Sequence, residues 1–278
     1  MSLKPIIWRI KQVLNPLLKS RRLRSYGTGL GKSGTHSLSD LLGQTLRSAH
    51  EPHDKDLIEA ILQREAGTLT GEAFRRYLKR RDRQLWLEAD VSTLNLHIME
   101  EVMELYPDSK VILMVRDPIS WLNSSWNQLG ARHIPEWYAK LDAWKYGPRQ
   151  HEYAKYENVL STYNLPSAES HLQLWGSIYN ELPGKVGEDR LTVVRIHELN
   201  TDLPEICRFL GVSEVQAPAK AVHSYRAKAD LGLIHGLDVQ WLNELVEAHC
   251  EPALSRLYPE ARTLETAIEV GYLKLGHA

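Results

Sequence analysis

The chain has 278 residues, 43% hydrophobic and 25% charged, enough to bury a sizeable core, and its length is within reach of one large α/β domain. With 34 basic and 35 acidic residues its formal net charge is -1. That balance argues against a protein whose main business is coating nucleic acid, so any anion site must be built locally from a few placed groups.

Two cysteines, Cys207 and Cys250, are too few for a disulfide framework and lack metal-ligand spacing; a reducing, cytoplasmic setting is expected. No apolar run approaches the roughly 18–20 residues of a membrane span. Lys4, Arg9, Lys11 and Asn15 interrupt the first apolar stretch, so it does not read as a secretory signal.

Residues 1–24 read as an amphipathic helical segment, with Ile6, Ile7, Ile10, Val13, Leu14, Leu17 and Leu18 at helical spacing, followed by Arg21, Arg22 and Arg24. Such a helix could rest on an anionic membrane surface, giving peripheral membrane contact. The reading favoured is a helix packed on the domain with a solvated basic end. Residues 25–278 then form one domain.

A strand is expected around Leu23–Thr28, running into a glycine-rich loop, and Thr35–Leu46 reads as a helix. Gln84–Glu88 is a short apolar run that turns polar at Glu88. His97–Tyr106 carries apolar residues at helical spacing until Pro107-Asp108 stops it. Val111–Val115 is an unbroken apolar run, the mark of a parallel strand covered on both faces, and Leu191–Ile196 is another. Between them, residues 132–166 hold seven tryptophans and tyrosines among charged residues. This insertion suits a lid on the acceptor side, or helices that use those rings to pack onto the core. The alternation implies an α/β fold with a P-loop-like central parallel sheet flanked by helices, in a single domain. Ligands of such sheets sit off the carboxyl ends of the strands. Three polar clusters are expected there: the loop after Thr28, the stretch Glu88–Asn95, and Arg116-Asp117-Pro118.

The loop Gly31-Lys32-Ser33-Gly34-Thr35-His36-Ser37 joins a strand to a helix. Its backbone N–H groups, at a helix amino terminus, suit phosphate oxygens. Lys32 adds a mobile charge and three hydroxyls add donors. A nucleoside triphosphatase loop needs a glycine five residues before Gly31, where Tyr26 stands.

Lys-Ser-Gly-Thr-His-Ser resembles the 5′-phosphosulfate loop of sulfotransferases that use 3′-phosphoadenosine 5′-phosphosulfate, with His36 in place of a second threonine. The run Val111–Val115 followed by Arg116-Asp117-Pro118 is similar to that family's second motif, whose arginine and a serine eight positions later hold the 3′-phosphate. Here the pair is Arg116 and Ser124. A planar guanidinium at a strand end suits phosphate on physical grounds as well. Weaker likeness continues through Val193–Leu199 and Pro204–Gly211 to Arg226, which the resemblance would place over the 3′-phosphate although the usual Arg-Lys-Gly is missing. The loop and the following His50-Glu51-Pro52 look most like bacterial sulfotransferases.

Sulfuryl transfer, like phosphoryl transfer, asks for a neutralised leaving group, a positioned acceptor and a base. Lys32 is the candidate for the first task. For the base, Leu87–Ser92 resembles the glutamate version of the family's site, without its usual Lys-Ser-Pro. Glu88 is the first choice, Asp90 the second and His50, at another expected strand end, the third. No zinc pattern and no Gly-x-Ser-x-Gly nucleophile elbow occurs. The expectation is therefore a sulfotransferase with that co-substrate, no metal and a small-molecule, lipid or carbohydrate acceptor rather than nucleic acid. A P-loop kinase of a small metabolite and a non-catalytic nucleotide-binding scaffold stand as alternatives.

Overall fold

In the computed structural model, which describes residues 4–131, 135–147, 153–213 and 230–273, the run Val111–Val115 lies inside a five-stranded sheet. The chain begins with α1 (Lys4–Leu18), β1 (Ser25–Thr28), α2 (Thr35–Leu42), β2 (Ser48–His50), α3 (Asp54–Glu65) and α4 (Gly71–Leu85). It continues through β3 (Ala89–Val91), a 3-10 turn (Thr93–His97), α5 (Met99–Leu105), β4 (Lys110–Val115), α6 (Pro118–Gly130), α7 (Glu136–Tyr146) and α8 (Asn158–Thr162). Then follow α9 (Ala168–Val186), β5 (Leu191–Arg195), α10 (Leu203–Leu210), α11 (Val239–Cys250), α12 (Ala253–Leu257) and α13 (Leu264–Glu269).

The strands order as β2-β3-β1-β4-β5 and every pairing is parallel, with Tyr26 opposite Asp90 and Val111. All five therefore end at one edge. This is the single α/β domain with a flanked parallel sheet expected from the sequence. Alternation along β4 explains the two cores. Val111, Leu113 and Val115 join the larger one beneath α3 to α6, α9 and α11, while Ile112 and Met114 face α2 and α10. Covering both faces is what an apolar strand requires.

Two element boundaries differ from the sequence reading. The apolar positions 84–88 do not end a strand. Thr70 caps α4 by accepting from the Ala73 N–H, and Phe74, Leu78 and Arg81 form its buried stripe. That register runs on to Leu85, and Trp86, at φ 49°, ends the helix. The strand starts only at Ala89, so Glu88 precedes it instead of following one. Likewise α2 stops at Leu42, capped by Gly43, leaving residues 43–47 to lead into β2.

Of residues 132–166, those described form α7, α8 and their connections. Leu141 and Leu160 are buried, and Trp137, Tyr138 and Tyr153 pack against the larger core. Trp144 and Tyr163 stay exposed, and Trp144 meets His97 edge-on at 4.7 Å. Among the described residues no helix is long and apolar enough to cross a membrane.

Candidate active site

The loop after β1 is shaped by two glycines. Gly29 has φ 147°, and a Cβ there would lie 2.3 Å from the Met114 carbonyl oxygen, so only glycine lets the loop turn this close to β4. Gly34 has φ 102° and forms the N-cap of α2 without any side-chain cap. The first-turn amides of α2 are thus directed out of the helix end, toward the sheet's carboxyl edge. Lys32 stands between them in the left-handed region, at φ 71°. Ser33 and Thr35 are buried, whereas Lys32, His36 and Ser37 are half-buried and Gly31 is exposed. The loop is held from behind: Trp121 Nε1 donates to the Gly31 carbonyl at 2.7 Å, and the Leu30 N–H donates to the Tyr179 hydroxyl at 3.4 Å.

Arg116 stands at the neighbouring strand end. Its Nε donates to Ser120 Oγ at 2.8 Å, and Ser120 donates in turn to Asp117. Asp117 caps α6 by accepting the Ser120 N–H at 2.8 Å, with Pro118 at the first helical position. Three successive carbonyls at this strand end are gripped by aromatic donors. Met114 accepts from the Tyr179 hydroxyl at 3.0 Å, Val115 from the Tyr258 hydroxyl at 3.0 Å, and Arg116 from Trp175 Nε1 at 2.9 Å. Ser124 is half-buried one helical turn beyond Ser120, and the i, i+4 spacing puts both on the Arg116 side of α6. Arg226 lies outside the described residues.

Burial is the main reason that the Lys32 ammonium drops to about 8, and the Arg116 charge lowers it further. Burial also lowers Arg116, against the opposing pull of Asp117. Two cations brought together at a partly dry strand edge, beside outward-facing amides, make a site for polyanions.

The candidate bases separate. Glu88 is sequestered at the amino end of β3, where it accepts from Arg22 Nε at 2.8 Å, Arg22 Nη2 at 3.0 Å and the Arg47 N–H at 3.0 Å. Hydrogen bonding from Arg22 above all holds its carboxyl down at about 2. Glu88, the first choice of base from the sequence, thus sits at the opposite end of the sheet from Lys32. Asp90, the second choice, is also engaged elsewhere. It is buried within β3, where it pairs with Arg81 of α4, which also donates to the Pro52 carbonyl at 2.9 Å.

His50 closes β2 at the carboxyl edge. Its Nε2 is in hydrogen-bond contact with Thr35 Oγ1 at 3.2 Å, and its ring lies 4.8 Å from that of His36. Burial, reinforced by His36 and opposed by Glu51 and Asp40, lowers its pKa. The ring is therefore held neutral near pH 7, the form that accepts a proton. Glu51 beside it accepts from Thr93 Oγ1 at 2.8 Å. His36 Nδ1 lies 3.2 Å from Asp40.

Sequence reasoning missed Ser120 and the aromatic donors behind the site. Ser120 had a local signal, because Asp117-Pro118-x-Ser120 is a capping sequence. Trp175, Tyr179 and Tyr258 had none, since their partners lie 59 to 143 residues away. Also unforeseen was His197, 3.8 Å from Asp117 and stacked on Tyr272 at 4.1 Å. Among the described residues no group of three His, Cys, Asp or Glu could hold a metal ion.

Residues 26–226 match the family profile described as a sulfotransferase domain. Solved structures include a sulfotransferase of Alicyclobacillus acidocaldarius, 18% identical, covering 86% of this chain and 96% of that one, with TM-score 0.47. The sulfotransferase domain of the Synechococcus PCC 7002 olefin synthase is 19% identical, covering 92% and 97%, with TM-score 0.43. A sulfotransferase of Mycobacterium tuberculosis H37Rv is 16% identical, covering 87% and 81%, with TM-score 0.46. No curated protein sequence matches the chain. With the profile spanning both strand-end motifs and well over half of the residues, the chain belongs to the sulfotransferase family.

Proposed function

We propose that the chain transfers a sulfuryl group from 3′-phosphoadenosine 5′-phosphosulfate to a hydroxyl or amine of a small-molecule, lipid or sugar acceptor. The observation that carries this reading is the pairing of Lys32 and Arg116 at neighbouring strand ends, close enough for the Arg116 charge to depress the Lys32 ammonium. The donor's two anionic ends suit these two positions. Lys32, Thr35 and the α2 amides bind the 5′-phosphosulfate, while Arg116 and Ser124, with Ser120 orienting the guanidinium, bind the 3′-phosphate.

In this reading the acceptor oxygen or nitrogen forms a bond to sulfur as the bond from sulfur to the 5′-phosphate oxygen breaks. Lys32 neutralises the charge that gathers on that leaving oxygen. Neutral His50 takes the acceptor's proton, its contact with Thr35 keeping the ring at the edge of the loop. Adenosine 3′,5′-bisphosphate leaves as the second product. The two cysteines are buried and free, which suits the reducing, cytoplasmic setting proposed for the chain.

Thermal melting tests the reading against a kinase. Adenosine 3′,5′-bisphosphate without Mg²⁺ is expected to raise the melting temperature. A response confined to ATP with Mg²⁺ would overturn the proposal. Nucleotide binding without turnover over a broad acceptor set would favour the scaffold.

A further inference from the structure

Helix α1 is attached to the domain the wrong way round for an ordinary amphipathic helix. Such a helix turns its apolar stripe to the core and its polar arc to water. Among the described side chains the attachment to α4 is polar. Asn15 Nδ2 donates to the Gln84 carbonyl at 2.8 Å, and just beyond the helix Trp86 Nε1 donates to the Lys19 carbonyl at 2.8 Å while Arg21 pairs with Asp82 at 2.9 Å. The apolar residues Ile10, Val13, Leu14, Leu17 and Leu18 follow the i, i+3, i+4, i+7, i+8 spacing of one stripe and are 49, 60, 43, 74 and 73% exposed. Among the described side chains, then, it is the polar arc of α1 that meets the domain.

Charge identifies what covers the stripe. Residues 1–24 contain seven lysines and arginines and no aspartate or glutamate, in a chain whose net charge is -1. Lys11 and Lys19 are exposed at the two ends of the stripe, and α4, the helix beneath, exposes Lys79, Arg80 and Arg83. A second copy of this face would bring like charges together around the contact. A bilayer surface rich in anionic lipid offers both an apolar layer for the stripe and opposite charge for its basic surround. At 15 residues α1 spans about 22 Å, too short to cross a bilayer and suited to lying in its plane.

We propose that α1, flanked by the basic surface of α4, docks the protein peripherally on an anionic membrane surface, with Val13, Leu14, Leu17 and Leu18 entering the headgroup region. This docking is independent of the sulfuryl-transfer reading, because no residue of the candidate active site takes part.

Co-sedimentation of the full chain with vesicles tests it, using phosphatidylcholine alone and phosphatidylcholine mixed with phosphatidylglycerol. Binding is expected to be roughly tenfold or more stronger on the anionic vesicles and to weaken as salt is raised. Val13→Asp with Leu17→Asp should abolish it while leaving the thermal melt unchanged, since both side chains already face solvent. Arg80→Glu with Arg83→Glu should weaken binding at least tenfold through charge alone and so checks the first variant independently. Equal binding to the two vesicle types, or binding indifferent to the Val13 and Leu17 changes, would overturn the proposal. So would a dimer in light scattering that Val13→Asp with Leu17→Asp dissociates, which would give the stripe to a second copy.

Discussion

Around β1, β3 and β4 the two ends of the sheet treat the same kinds of side chain in opposite ways, whereas Arg195 at the carboxyl end of β5 is paired with Glu260 at 2.9 Å. Around the amino ends of β1 and β3 opposite charges are matched: Arg21 and Arg24 hold Asp82 at 2.9 and 3.2 Å, and Arg22 holds Glu88 at 2.8 Å. Within β3, Asp90 is likewise matched by Arg81. At the carboxyl ends of β1 and β4 Lys32 and Arg116 share a neighbourhood instead, and burial, reinforced by the Arg116 charge, brings the Lys32 ammonium down to about 8. A carboxylate clasped by arginines is kept ionised and serves the fold, whereas cations set beside each other raise the local potential and favour an anionic ligand. The contrast teaches that an acidic or basic residue near a strand terminus carries no role until the terminus is known.

Substitutions at the two ends should separate accordingly. Lys32→Ala removes the charge at the leaving oxygen and should lower turnover roughly 10³-fold in a sulfuryl-transfer assay; near-normal turnover would break the comparison. His50→Ala should cost roughly 10²-fold in turnover with nucleotide affinity little changed. Arg116→Ala should weaken binding of adenosine 3′,5′-bisphosphate by about 2 kcal/mol, roughly 30-fold, in a titration calorimeter. The smallest effect on chemistry is expected at the amino end. Glu88→Gln should destabilise the fold by about 1–2 kcal/mol in denaturant unfolding while the folded enzyme turns over normally. If Glu88→Gln instead abolished turnover without loss of stability, the division between the ends would fail.

Proton linkage sharpens the same contrast. Lys32 is charged below about 8, so affinity for the nucleotide should be full at lower pH and fall as pH rises through 8. Glu88 shows the reverse sense. Its carboxyl is depressed from 4.5 to about 2, so its contribution to stability is complete above 4.5 and is lost as pH falls from 4.5 toward 2. Lys32→Ala should flatten the first dependence, measured by nucleotide titration, and Glu88→Gln the second, measured by unfolding.

Local backbone rules made part of this protein legible from its sequence. An unbroken apolar run must be a strand covered on both faces, and a glycine-rich turn with Lys32 before a helix must present amides. Asp117-Pro118 must open a helix, whereas the pairing of Arg116 with Ser124 came from the family resemblance alone. The strand, the turn and the helix start depend on neighbours a few residues apart. The location of Glu88 did not, because it turned on whether residues 84–88 continue a helix or end a strand. Both patterns share those apolar positions, and packing of Phe74, Leu78 and Arg81 decided for the helix. A strand beginning one residue after Glu88 then sent that carboxylate to the amino end. His50 met Thr35 only because β2 takes the sheet edge beyond β3. The aromatic donors behind β4 likewise needed the tertiary structure to bring α9 and α12 against it. The sequence by itself determined the glycine-rich loop before α2 and the arginine that ends β4, since each is encoded within a dozen residues. Which of Glu88, Asp90 and His50 lies beside that loop was decided by strand order and helix packing, which arise from contacts between distant parts of the chain.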